Sequence, residues 1–146
     1  MTIRAALYSH LTGTLAITDT LSKATAVYYQ GTYPNSPPAK YIGIQQISRV
    51  GTPHLGGDGG LAQKRFQLNC WADSSEDCDL ITEALRKALN GFRGDFGFEA
   101  STVFANEIRL DDDNDEPLDP IDSSQQGKVG RRLDFLIWHQ ESLTPV

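Results

Sequence analysis

The densest chemistry in this chain of 146 residues is the run Asp111-Asp112-Asp113-Asn114-Asp115-Glu116, its one cluster with metal-ligand character. Asp111, Asp113 and Asp115 match the first alternate positions of a calcium loop, where oxygen ligands recur at that spacing. Such a loop needs glycine at its sixth position for a sharp turn. Here Glu116 stands there, Pro117 follows, and a strand pattern rather than a helix precedes. The run therefore reads as a solvated hairpin whose carboxylates keep a sheet edge soluble, with weak divalent-cation binding at a subunit contact as the chemical alternative. His10, His54 and His139 fall on a helix, a glycine-rich segment and a strand end, with no neighbouring ligand at metal spacing. No Gly-x-Ser-x-Gly elbow, His-Glu-x-x-His helix or Cys-His pairing supplies a nucleophile or base. Gly51, Gly56, Gly57, Gly59 and Gly60 do not form a phosphate cradle, because Leu61-Ala62 stands where Lys-Ser/Thr is needed. Cys70 and Cys78 match neither a zinc spacing nor a disulfide framework and read as small core hydrophobes. The sequence thus implies no catalytic residue, no cofactor and no metal. A cation-dependent hydrolase using Asp111, Asp113 and Asp115 is the remote alternative.

Composition narrows the classes further. The chain carries 13 Lys+Arg against 19 Asp+Glu, a formal charge of −6. A protein that grips phosphates shows the opposite balance, so sequence-specific nucleic-acid binding is not expected. An acidic surface still suits the wall of a channel through which DNA slides, since like charges prevent adhesion. The length fits one domain, 1–146, able to bury about 68–70% of its unfolded surface. The N-terminus lacks a basic region followed by an apolar run, and no stretch approaches the ~20 apolar residues that span a bilayer. Synthesis in the cytoplasm without a membrane partner is the expectation.

The elements that position these residues follow from periodicity. Ile3, Ala6, Leu7, His10 and Leu11 recur on one face of a first helix, with Thr2 as its cap and Gly13 as its stop. Residues 26–29 suit a short strand, and Pro34, Pro37 and Pro38 make the next stretch a loop. A strand over 41–50 changes apolar phase between Ile44 and Ile47, which suggests a bulge near Gln45-Gln46. The glycines that follow are expected to form a flexible hairpin tip over 51–60. In the next strand Phe66, Leu68, Cys70 and Ala72 face one way, and Arg65, Gln67, Asn69 and Trp71 the other. Asp73 and Glu76 have the logic of a capping box for a helix over 75–90. Its buried stripe is Ile81, Ala84, Leu85, Ala88 and Leu89, and Asn90-Gly91 ends it. A strand over 102–110 is read with Phe104, Ile108 and Leu110 on one face and Ala105, Glu107 and Arg109 on the other. The segment 111–130 has too little apolar content for a core and reads as a long flexible loop. The last strand, 131–140, is apolar on both faces and so internal to a sheet or covered by a neighbouring subunit. The fold class is α+β: a mainly antiparallel sheet of four or five strands with two principal helices packed on it.

Trp71 and Trp138 each alternate out of the core phase of their strands. If those strands are neighbours, both indoles lie on one sheet face, covered by the first helix or by another subunit.

The junction Phe66-Gln-Leu-Asn-Cys-Trp-Ala-Asp73, the helix after it, Gly91-Phe92-Arg93-Gly94 and Leu133-Asp-Phe-Leu-Ile-Trp-His139 together resemble one family. It is the phage tail-completion, or tail-terminator, family. The resemblance implies a structural virion protein, not an enzyme. Such proteins form rings, commonly hexamers, that cap the tail tube, end its polymerisation and present the surface for head-tail joining. The partners implied are further copies of the chain, the tail tube protein and a head connector or stopper, with DNA passing through the ring. The location implied is the head-proximal end of the tail, and a head-side connector or stopper is the alternative. Trp71, Trp138, His54, Asp111, Asp112, Asp113 and Asp115 are the candidate interface residues. The acidic segment 111–126 departs from the family pattern, so the resemblance assigns it no role.

Overall fold

The computed structural model describes residues 3–23, 25–29, 32, 38–54, 57–97, 103–116 and 129–140; side chains at 48–54, 57–62, 103, 106, 114–116 and 140 lie outside the description. The expectations for Thr2 and for Pro34 and Pro37 fall outside the described residues. Three helices, α1 (Ile3–Gly13), α2 (Leu15–Thr18) and α3 (Ser75–Leu89), accompany six strands. The strands are β1 (Val27–Tyr29), β2 (Tyr41–His54), β3 (Gly57–Ala72), β4 (Gly94–Phe96), β5 (Val103–Glu116) and β6 (Val129–Gln140). They form one sheet in the order β1-β2-β3-β6-β5-β4. The sheet is mixed and larger than the four or five strands read from sequence, because β1 pairs parallel with β2 while every other pairing is antiparallel. β1 falls within the short strand expected over 26–29, and the strand beyond those read is β4, three residues long and too short to leave a periodic signature.

The centre of the sheet is β3 against β6, in unbroken register from Leu61↔Gln140 to Ala72↔Val129. Phe66 lies opposite Phe135 and Leu68 opposite Leu133, all at 0–1% exposure. Each such side chain contributes about 1.5–3 kcal/mol through the water it sheds. This face carries α3, whose buried side is Cys78, Ile81, Thr82, Leu85 and Leu89. Ser74, rather than Asp73, caps the helix, its Oγ accepting from Asp77 N–H at 3.2 Å. Gly91 takes φ +83°, a conformation open to glycine at little cost, and so ends the helix as expected. Cys70 and Cys78 meet inside the core, where the Cys78 thiol donates to the Cys70 carbonyl at 3.6 Å. Burial, reinforced by the neighbouring thiol, pushes the Cys70 pKa well up.

Three sequence expectations are corrected here. The expected loop over 51–60 is largely strand: β2 and β3 continue to Pro53↔Asp58 and His54↔Gly57, and 55–56 lie outside the described residues. The expected loop over 111–130 likewise begins as strand, since β5 runs to Glu116 and β6 starts at Val129. Arg131 on the adjoining strand β6 and Arg65 on β3, one strand further, offset the charges that make the acidic run look unfoldable. Phe104 is 44% exposed and Ala105 is buried, the reverse of the face assignment, because a register shift between Ala105 and Glu107 inverts the alternation. The bulge in β2 is present between Gln46 and Ser48, one position beyond the expected place.

Helix α1 closes the fold. It touches both β1 and β4, the outermost strands of the described sheet, so the sheet curls around it. Ile3, Ala6, Leu7, His10 and Leu11 are its buried side, as the spacing predicts. His10 is the contact with β4: its ring lies 4.4 Å from Phe96 and 5.1 Å from Phe92, and its Nδ1 accepts from the Gly97 N–H at 3.3 Å. Desolvation lowers its pKa below the usual 6.5. As pH falls, the unfolded chain therefore takes up this proton before the folded one, so folding stability declines below about pH 6.5. Urea unfolding at neutral pH and at about pH 5 is expected to show that decline, with a smaller drop in a His10→Gln variant. An equal drop in both proteins contradicts the assignment.

Candidate assembly interface

The second face of the β3-β6 pair carries the expected interface tryptophans. Trp71 pairs with Gly130 and Trp138 with Gln63, positions of equal parity, so both indoles share one face near opposite ends of the strands. Among the described residues no helix packs there, and Trp71, Leu136 and Trp138 are each half-buried. Trp71 belongs to an aromatic corner: it stacks on Tyr41 at 6.4 Å, and Tyr41 meets Tyr28 edge-on at 6.2 Å. At the other end Arg109 lies 5.6 Å above the Trp138 ring, a cation–π contact.

Between the two aromatic ends runs a charged stripe. Arg65 donates to Asp111 at 2.6 Å and to Asp134 at 2.9 Å, bridging β3, β5 and β6. These hydrogen bonds, Asp111 first, raise the Arg65 pKa above its ordinary value, so the guanidinium stays charged. Asp134 is 8% exposed, and its Oδ1 has no hydrogen-bond partner among the described residues. Arg65 is thus the one described counter-charge that keeps this buried carboxylate tolerable.

The acidic run does not converge. A second register shift, between Leu110 and Asp112, sends Asp111 to the uncovered face and Asp113 to the helix face. There Arg131 grips Asp113 with two bonds of 2.7 and 3.0 Å and reaches Asp79 of α3 at 2.8 Å. This arginine fixes the base of the β5-β6 hairpin to the helix. Thr82, Glu83 and Arg86 complete a shallow groove of about 310 Å³ beside it. Asp112 lies opposite Asp134 at the bulge and accepts from the Asp113 N–H. Asp115 is level with Arg131, and His54 closes the β2-β3 ladder opposite Gly57; their side chains are outside the description. Among the described residues no three His, Cys, Asp or Glu side chains gather to hold a metal.

Arg65, Arg131, Asp134 and Asp79 are the residues that sequence reasoning missed. Alternation places Arg65 on the Trp71 face, but nothing local signals that its partners stand 46 and 69 residues away.

The family model of the tail completion protein gp17 matches residues 5–118. This chain belongs to that family. Members are structural proteins of phage tails, as the sequence resemblance implies. The fold is also that of a chain in a solved virion of a native gene transfer agent particle, with a TM-score of 0.72 at 15% identity over 94% of both chains. A comparison with curated proteins finds no match.

The charged stripe makes a graded set of expectations for this tail completion protein. Removing Arg65 strands Asp134 inside the sheet, so Arg65→Ala is expected to cost about 2 kcal/mol. Asp111→Ala removes the more exposed partner and costs under about 1 kcal/mol. Urea midpoints at unchanged slope measure both. Equal losses contradict the role assigned to Asp134.

Proposed function

We propose that this protein caps the phage tail tube as a ring of identical subunits, ends tube polymerisation and forms the surface that joins tail to head. Family membership supports the tail role. The observation that favours a ring is the sheet itself: its central strands are packed on one face, while on the other Trp71 and Trp138 stay only half-buried among the described residues, Trp71 stacked on the buried Tyr41. Aromatic residues held this way are enriched where subunits meet. The similar chain in a gene transfer agent virion supports a role in particle assembly.

The mechanism is geometric and needs no catalytic group. One rim of the ring matches the last ring of tube subunits, and the other rim offers a surface that no further tube subunit fits. The β2-β3 and β5-β6 ladders end at His54↔Gly57 and Glu116↔Gly130, at opposite ends of the sheet, and those two ends supply two different rims. With Asp111 and Asp113 on opposite faces, each bound by an arginine, the carboxylates a cation-dependent hydrolase needs do not face one another.

Tail tubes assembled with this protein are expected to stop at uniform length, carry a closed sixfold ring at one end and join heads. Negative-stain images of tails made with and without it test this, alongside native mass spectrometry across a concentration series. Weak ring contacts become populated only on the tube template, so monomers in dilute solution are compatible with it. Tails that end at normal length and join heads without the protein contradict the reading.

A further inference from the structure

Among the described residues, both outer strands of the central four are only half covered, and the covered halves lie at opposite ends. On β2, β1 pairs with residues 42–44 and no described strand continues beyond Ile44. On β5, β4 pairs with 103–105, and the turn after α3 continues the cover: Gly91 N–H donates to the Ile108 carbonyl at 2.7 Å, Ile108 N–H to the Phe92 carbonyl at 3.1 Å, and Leu110 N–H to Asn90 Oδ1 at 3.0 Å. Residues 113–116 have no strand beside them on that side among the described residues. A sheet edge of this kind is a template for another strand.

We propose that, in the ring inferred above and on the strength of that reading, the open edge of β2 in one copy pairs with the open edge of β5 in the next. Direction fits: successive pairings β2-β3, β3-β6 and β6-β5 are all antiparallel, so β5 of a like-oriented neighbour runs antiparallel to β2. Charge fits as well, since residues 45–54 contain Arg49 and no acidic residue, while Asp115 and Glu116 occupy the other edge.

The stagger is the more discriminating match. Through the register, Val50 is level with Trp138 and Asn114 with Arg132, so the two edges are displaced by about 20 Å along the strands at ~3.4 Å per residue. In a closed barrel the strands tilt by about 35–45°, and neighbouring four-stranded units roughly 19 Å wide then slide by about 13–19 Å along the strand direction. That slide brings the open edges together and carries β1 of one copy and β4 of the next past each other's ends. An interface of this type is heterologous, and with a rotation that closes it gives a ring.

Cysteine pairs test the contact in the full chain, since Cys70 and Cys78 are buried. Ser48→Cys, Val50→Cys and Thr52→Cys are each combined with Asn114→Cys, and the proteins are oxidised beside tail tubes and run without reductant. At least one double variant is expected to give a ladder of covalent oligomers ending at the ring size, while single variants give none. Covalent dimers from single variants overturn the proposal by showing a symmetric contact. Rings that form beside tubes with no ladder in any double variant overturn it while leaving the ring intact. No rings in the unsubstituted protein beside tubes overturn the ring reading and this pairing with it.

Discussion

Everything in this fold hangs on the β3-β6 ladder. Its residues alternate between two environments that differ sharply: Phe66, Leu68, Phe135 and Leu133 enter a core sealed by α1 and α3, while Arg65, Trp71, Asp134 and Trp138 look the other way. A slip of one residue in that register would put arginine and aspartate into the core and phenylalanine outside. The unbroken pairing therefore does more than hold two strands together. It assigns every functional candidate on them to a face.

The remaining elements serve that division. Helix α1 reaches both outermost strands and curls the sheet, with His10 lodged against Phe92 and Phe96. Two arginines manage the acidic hairpin from opposite sides, Arg65 through Asp111 and Asp134 on the uncovered face, Arg131 through Asp113 and Asp79 on the helix face. The short strands β1 and β4 each protect part of an edge and stop. Among the described residues this leaves part of the β2 and β5 edges without a neighbouring strand, the feature on which the proposed assembly of this tail completion protein rests.

What was legible in the sequence follows from how local each signal is. The buried side of α1, the Ile81, Leu85 and Leu89 positions of α3 and its glycine stop depend on neighbours a few residues apart, and they read correctly, whereas Ala84 and Ala88 of the expected stripe are only partly buried and Thr82 is buried in its place. Parity puts Trp71 and Trp138 on one face provided β3 and β6 are neighbours, and the ladder makes them so. Features that depend on distant partners were not. Asp111 to Glu116 looks like a loop because its charges repel, until Arg65 and Arg131 arrive from other strands. The glycine-rich stretch looks like a tip because glycine carries no pattern, although the ladder holds it to His54↔Gly57. Phe104 was placed inward because one bulge at Asn106 is invisible to strict alternation.

In the proposed assembly a single copy leaves the β2 edge open over 45–54, and the neighbouring copy closes it. Amide hydrogen exchange read residue by residue, on the dilute protein and on the protein bound to tail tubes, tests this directly. Amides of 61–72 should be protected in both states, and those outward-facing between 45 and 54 should exchange freely alone and slow by at least about tenfold on assembly. Unchanged exchange over 45–54 in tube-bound protein, or rapid exchange across 61–72 in the isolated chain, would contradict it.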